Sequence, residues 1–503
     1  MININTKYQI LKSTSIIGSS AIFVMFMAMI RIKFISITVG VIGIGLMANL
    51  NALLTAFSTI SGMGIHQRSV REISIDYSSN NEILFQRRAY VLSALSFILG
   101  LLGLSLSLFF SENLSTWVFG DKSHKFDIQI TSIAIVFVLL SNAFTSIIQG
   151  TRKISYLAYA NIFGSLLGTL IALFCFVIYG LGGIVWALLS ISIAQALSTG
   201  YFVRKIKLRT YILCRLDDFK IAWNLLRDGG PLMLSSLTTS VTTLIIMALI
   251  TRELGMSLVG LYSAAFSLSV FFVGFVLTSM GSDYYPRLSS KINKKKEMNQ
   301  IVNEQTEVGL HLTITGMLIC YTTAPFLIEI FYSKEFLLAS ELLQWFVLGC
   351  FGRVISWPLG FIILALGKSK LFLLSELSIN ILHLSLVWLA VNYFSIEETA
   401  IAFFITYIVY TIFMLFTSYQ LIGFKWETKV VKLIILSLFK FLIIFYVILY
   451  LENSLGIFIL AILIFHSLIT SLKEISDIMG SKNKSLVKIL NFPIIKNLIS
   501  IKK

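Results

Sequence analysis

The chain has 503 residues, 57% of them hydrophobic and 13% charged, with a formal net charge of +16 and a mean hydropathy of +0.88. Soluble chains of this length carry roughly a quarter charged residues, so a soluble protein is excluded. A membrane barrel is excluded too, because the apolar windows are continuous rather than alternating.

Windows of about twenty apolar residues, each long enough to cross a bilayer as a helix, recur along the chain. They predict spans at 12–31, 40–63, 89–110, 128–150, 156–179, 183–202, 228–251, 258–281, 306–327, 339–366, 371–393, 399–421, 431–451 and 455–472. The first follows Lys7 and Lys12 with no small-residue cleavage pattern after it, and reads as a retained helix rather than a signal peptide. The predicted fold class is all-α and polytopic, with about 14 transmembrane helices.

Charge between the spans sets the expected topology. Alternate connections, together with both ends of the chain, hold 32 Lys and Arg; the opposite side holds six, namely Arg31, Lys33, Lys122, Lys125, Arg252 and Lys334. Arg353 and Lys440 lie within spans. That asymmetry fits the positive-inside rule with both termini cytoplasmic, so the basic excess reports topology before it reports a partner, and no nucleic acid is expected. Cys175, Cys320 and Cys350 fall in spans and Cys214 in a loop, with no CxxC spacing; neither a disulfide nor a metal site is expected.

The sequence repeats itself at an offset of 217, which places Gly43 on Gly260, Gly64 on Gly281, Gly150 on Gly367 and Lys153 on Lys370. The contexts agree as well, IIQGTRKI against ILALGKSK. An offset of six spans preserves orientation in the membrane, so the expected copies are parallel repeats that enclose a path between them. The predicted organisation is an N-lobe over 1–210, a cytoplasmic linker over 211–227 and a C-lobe over 228–427. Spans 13 and 14 follow over 428–472, and a basic tail over 473–503 whose lysines and apolar residues suit an anionic membrane surface.

Four stretches resemble a known family: YYPRLSSK at the end of span 8, GPLMLSSLTTSV opening span 7, MGIHQRSVREIS after span 2, and ISWPLGFIILALGKSKLF across spans 10 and 11. In their order and spacing the chain resembles the O-antigen flippases (Wzx family) of the multidrug/oligosaccharidyl-lipid/polysaccharide exporter superfamily, over nearly its whole length. The resemblance implies transfer of an undecaprenyl-pyrophosphate-linked oligosaccharide from the cytoplasmic to the periplasmic leaflet of the bacterial inner membrane. It implies alternating access, a cavity lined mainly by spans 1, 2, 7 and 8, and a lipid-tail groove at spans 13 and 14. A related flippase type has a cation site between spans 7, 11 and 12. Anionic lipids and the polysaccharide polymerase and chain-length machinery are the other partners implied, Na+ or H+ the coupling ion, and no cofactor.

The cargo's chemistry selects candidate residues. Pyrophosphate needs fixed cations, for which the planar guanidinium suits best; Arg31, Lys33, Arg252 and Arg353 are the candidates. Arg31 and Arg252 lie at the outer ends of the first span of each lobe, either at a cavity apex or snorkelling to headgroups. Arg353 falls near the middle of span 10, where it either meets cargo or makes a structural pair inside the second lobe. For the sugar the candidates are Asn49 and Asn51 of span 2, Ser235 and Thr239 of span 7, and Tyr262 of span 8, the alternative being polar contacts between helices. Asp228, Glu376 and Asn380 are the ion-coupling candidates, with Glu376 alternatively paired to Lys368 and Lys370. Arg68, Arg71 and Arg287 flank the cytoplasmic mouths, as collectors of anionic cargo or as topology signals alone. The competing readings are a cation-coupled multidrug antiporter, whose cavity calls for carboxylates, and a membrane-embedded polymerase or glycosyltransferase, for which no catalytic constellation can be assembled.

Overall fold

A computed structural model describes residues 4–79, 81–206, 216–451 and 454–479. Cys214, the first part of the predicted linker and the tail beyond 479 lie outside the described residues. All regular structure described is helical, and the protein is an all-α, multi-pass membrane protein. Among the described residues eleven helices are long and apolar enough to cross a membrane, or up to 13 if each bent pair is one span. Fourteen were predicted. Part of the difference is that residues Ile154–Arg204 count as one stretch of 51, although a straight helix of that length would run about 75 Å, twice a bilayer. The stretch turns back on itself at Gly180–Gly182.

Contacts divide the chain into two compact units, one of Met1–Ser263 with Ile330–Phe336, the other of Ala264–Glu329 with Leu337–Lys503. The first unit holds α1 (Ile4–Thr38), α2 (Gly40–Gly62), α3 (Ile65–Ser78), α4 (Glu82–Phe109), α5 (Ser111–Phe119), α6 (Lys125–Gly150), α7 (Ile154–Tyr179), α8 (Gly183–Arg204) and α9 (Leu216–Leu254). It therefore includes α9, which the repeat assigns to the head of the second lobe. The hairpin of α7 and α8 closes on small residues: a Cβ on Gly164 would meet Gln195, and one on Gly168 would meet Ile191. Without water to drive burial, close backbone approach is what holds apolar helices together. Among the described residues two α-helices lie wholly outside the predicted spans: α3, and α5 in the predicted external segment 111–127. Neither is apolar enough to be seen as a span; each is fastened by polar contacts. Near α5, Glu112 binds Lys122 at 2.6 Å and Lys125 at 2.7 Å, and hydrogen bonding to Lys122, then Lys125, holds its carboxyl down at about 2.

The second unit holds α11 (Lys295–Thr322), most of α12 (Ala324–Phe331), α13 (Ala339–Ala365), α14 (Ser369–Tyr393), α15 (Ile396–Ile422), α16 (Thr428–Tyr450) and α17 (Ser454–Met479); α10 (Met256–Ser289) begins in the first unit and continues into it. Ser395 and Glu398 form a capping box that starts α15, and Gly423 ends it in the left-handed region at φ 70°. The connection to α16 is pinned by buried Asn303, which donates to Lys425 O at 3.1 Å and accepts from Glu427 N at 2.8 Å. The core of this unit gathers Tyr284, Leu288, Met298, Val302, Leu359, Ile362 and Met414.

Two of the stretches that carried the family resemblance meet in that core. Tyr284 of YYPRLSSK donates to Pro358 O at 2.9 Å and stacks on Trp357 at 5.8 Å. Gly281 leaves room for the same indole, since a Cβ there would lie 3.1 Å from it. Tyr284 and Leu288, one turn apart, face inward, while Arg287 between them reaches Glu304 at 2.5 Å. Much of this motif is packing.

Candidate functional site

The other two stretches meet in the first unit, along an antiparallel pair formed by α2 and α9. Its register can be read from four contacts. A Cβ on Gly45 would lie 2.1 Å from Met256 O, just past the end of α9. Asn49 Nδ2 donates to Thr251 Oγ1 at 2.7 Å, and the hydroxyls of Thr59 and Ser240 are 3.4 Å apart. At the far end a Cβ on Gly64 would lie 2.3 Å from Gly229 O. Such polar contacts between helices contribute roughly 0.6 kcal/mol each, up to about 2; here they come with backbones close enough to exclude any Cβ.

Beside this pair lies a cavity of about 390 Å³, walled by α2, α3, α4, α6, α8 and α9. Its polar lining comes from Asn51, Thr55, Ser58 and Thr59 of α2, His66 and Gln67 of α3, Ser96 of α4, Asn142 of α6, Ser192 of α8 and Ser236 of α9. Among the described residues no Asp, Glu, Lys or Arg lines it. The chemistry on offer is hydroxyl and amide hydrogen bonding against an apolar wall of Leu54, Leu139, Leu188, Ile191 and Met233. Burial pushes the His66 imidazole below its ordinary 6.5, so the ring is neutral at pH 7. A group whose folded pKa is depressed in this way binds fewer protons folded than unfolded below pH 6.5; stability is therefore lost as pH falls from 6.5 through the folded value. His66→Gln is expected to flatten that part of the stability–pH curve, which thermal unfolding at stepped pH would show.

Beside the cavity a chain of ion pairs ties α3, α4 and α9. Arg68 binds Glu72 at 2.7 Å and Asp228 at 3.1 Å. Arg88 binds Glu72 at 2.5 Å and Asp76 at 3.1 Å, and burial raises the Asp76 carboxyl above the usual range with Arg88 opposing. Arg87 binds Asp218 closely and Asp217 at 3.3 Å.

The candidate residues fall out as follows. Of the sugar candidates Asn51 lines the cavity, but Asn49 and Tyr262 do not: Asn49 is fully buried in the α2–α9 contact, and Tyr262 is 3% exposed. Ser235 and Thr239 are displaced by their neighbour Ser236, because a helix turns each residue about 100° from the last. Arg31, Lys33 and Arg252 are not in the lining either. Arg31 lies two turns inside α1, which runs on to Thr38; its Nη1 reaches Thr169 Oγ1 at 3.5 Å and its Nε is buried without a partner. Lys33 donates to Tyr332 O at 2.5 Å. Arg252 is exposed, and among the described residues it makes no hydrogen bond or ion pair.

In the second unit Arg353 shares an electrostatic cluster with Tyr407, Cys350, Glu376 and Tyr410. Glu376 accepts from Tyr410 OH at 2.9 Å and, among the described residues, makes no ion pair with Lys368 or Lys370; Asn380 donates to Glu376 O at 2.8 Å. Asp228 is held by Arg68 and by Arg227 at 3.1 Å. Arg287 pairs with Glu304, whereas Arg71 is exposed with no ion pair among the described residues. Sequence reasoning missed His66, Gln67, Ser96, Asn142 and Ser192 as lining; the usable signal was a polar side chain inside or just beyond an apolar span.

The chain is 24% identical over 387 residues to the lipid III flippase of Escherichia coli (strain K12), covering 75% of this chain and 90% of that one. Among solved structures it is similar to the lipid II flippase MurJ in an inward closed conformation, with a TM-score of 0.69, 17% identity, and 92% and 98% of the two chains covered. It is also similar to an inward-facing multidrug resistance MATE family transporter of the MOP superfamily, with a TM-score of 0.65, 14% identity, and 77% and 94% covered. The fold is thus that of these transporters. The family model described as polysaccharide biosynthesis protein matches residues 10–292, more than half of the chain, and the protein belongs to that family.

Proposed function

We propose that this protein is a flippase, a transporter and not an enzyme, that carries an undecaprenyl-pyrophosphate-linked oligosaccharide from the cytoplasmic to the periplasmic leaflet of a bacterial inner membrane. The observation that carries the reading is the lining of the 390 Å³ cavity: ten hydroxyl, amide and imidazole side chains and no carboxylate. Its volume falls in the range of small-molecule sites, and its donors and acceptors match those of a sugar. A cationic drug would call for a carboxylate to offset its charge, which weighs against the multidrug antiporter reading. In this account the sugar enters the hydroxyl-lined cavity, Arg31, Lys33 and Arg252 draw in the pyrophosphate, and the prenyl tail remains in lipid. Arg353 and Glu376 act as a structural cluster. Alternating access by the two sequence-related lobes, coupled to Na+ or H+, is part of the same proposal, as are cytoplasmic termini and hand-over to the polymerase machinery.

The test is leaflet exchange of labelled polyprenyl-pyrophosphate oligosaccharide in vesicles. Removing hydrogen bonds worth about 0.5–1.5 kcal/mol each, Asn51→Leu together with Asn142→Leu is expected to slow exchange about tenfold with folded protein retained. Arg31→Gln and Arg252→Gln are expected to slow it further. Wild-type exchange in all of these variants rejects the proposal.

A further inference from the structure

Far from the cavity in sequence, three potential metal ligands come together in the second unit. Glu307 and His311 stand one turn apart on one face of α11, and Glu474 comes from α17; one ligand atom of each lies within 4.8 Å of the others. The Nδ1 of His311 is buried without a hydrogen-bond partner, in a side chain only 6% exposed. A polar nitrogen buried in this way has its lone pair or proton unused, which costs stability unless something takes it up. Between the two carboxylates stands the ammonium of Lys429, from α16, at 2.6 Å from Glu307 and 2.9 Å from Glu474. It behaves as a cation in a cation site, and it is displaceable: its side chain is 57% exposed and can swing to water. A cavity of about 570 Å³, lined by Glu307 and Lys429 among others, opens beside the cluster and provides a way in.

We propose that Glu307, His311 and Glu474 form a binding site for a divalent transition-metal ion, with Lys429 as the built-in competitor. The donor set explains the class. Two carboxylates and one imidazole suit zinc-like ions, whereas magnesium and calcium prefer oxygen alone. With neutral His311 the two carboxylates and Lys429 sum to −1; a divalent ion replacing the ammonium brings the site to neutrality. The ammonium spaces the carboxylates at hydrogen-bond distance, while a metal at about 2.0–2.2 Å would draw them and the imidazole inward. The exchange would tie α11 to α17 and release the contact of α16. Lys440, also on α16, is a second cation within electrostatic reach of His311.

The full-length protein in nanodiscs is titrated with CoCl2, then ZnCl2, following visible Co2+ absorption and calorimetric stoichiometry. One Co2+ per chain is expected, with an absorption band bleached by Zn2+ and unaffected by a hundredfold excess of Mg2+. His311→Gln and Glu474→Gln are expected to weaken binding at least tenfold. Lys429→Gln is expected to tighten it at least tenfold, an opposite sign that loss of folding cannot mimic. Absence of saturable binding in both wild type and Lys429→Gln overturns the proposal. So does unchanged affinity in His311→Gln and Glu474→Gln, displacement by Mg2+, or weaker binding in Lys429→Gln.

Discussion

Gly64→Val is expected to abolish recovery of folded protein. Gly64 has φ 64°, in the left-handed region, and directly precedes α3. A side chain there meets two costs. The backbone conformation itself costs a β-branched residue about 1–2 kcal/mol. The Cβ would also lie 2.3 Å from Gly229 O and 3.1 Å from Met233 N, both backbone atoms at the start of the apolar part of α9. Neither can turn aside, so α9 would have to move off α2 and α3. The sum exceeds about 4 kcal/mol, the range of the most damaging single substitutions. Gly120→Ala separates the two costs. It has φ 87° with nothing within 4 Å, so it bears conformational strain alone and should remain folded with slightly lowered melting. Size-exclusion profiles and melting temperatures in detergent decide the matter; a Gly64→Val protein that melts with wild type would show that the close approach of Gly64 to Gly229 is unimportant. Because Gly64 delivers Ile65, His66 and Gln67 to the cavity wall, exchange activity should vanish along with the fold.

The second large effect is expected at Arg87. Its side chain is 13% exposed and pairs with Asp218, 10% exposed, near the start of α9. Replacing Arg87 by Met takes away a guanidinium bonded directly to a buried carboxylate, a loss that costs about 3–5 kcal/mol. Removing both charges, Arg87→Met with Asp218→Leu, is expected to restore most of that stability, since paired buried charges contribute little beyond apolar packing of the same volume. Thermal unfolding of the single and double variants measures the difference. A single variant no less stable than the double would mean that the pair is solvated and that α9 is held by its small-residue contacts alone.

Most of the fold was legible. Predicted spans 128–150, 183–202 and 399–421 reappear within a few residues as Lys125–Gly150, Gly183–Arg204 and Ile396–Ile422. The failures have a common cause: α3, α5, the extension of α1 to Thr38, the early starts of α9 at Leu216 and of α11 at Lys295, and the extension of α10 to Ser289 are helical stretches that are not all apolar. Solvent-exposed or interfacial helix depends on what it packs against, and hydropathy is silent there. The glycines of the repeat show the same limit. Gly43 and Gly260 align in sequence, but a Cβ on Gly260 would meet Val41 O at 2.1 Å, whereas one on Gly43 would meet the side chain of Val39 in the turn before its own helix.

The amino-acid sequence alone determined that this protein lives in a membrane, where the apolar stretches of its helices lie, and which family it resembles. Those properties follow from local composition, because hydrocarbon demands a continuous apolar helix whatever its neighbours do. Which polar residues share a cavity was decided only by the tertiary structure. Asn49 and Asn51 are two positions apart, yet one is sealed against Thr251 and the other faces the cavity. Glu307, His311, Lys429 and Glu474 are scattered along the chain and meet at one point. A helix of known length still has every rotation about its axis open to it. Only contact with other helices, through glycines that admit no Cβ and charges that must find partners, selects one.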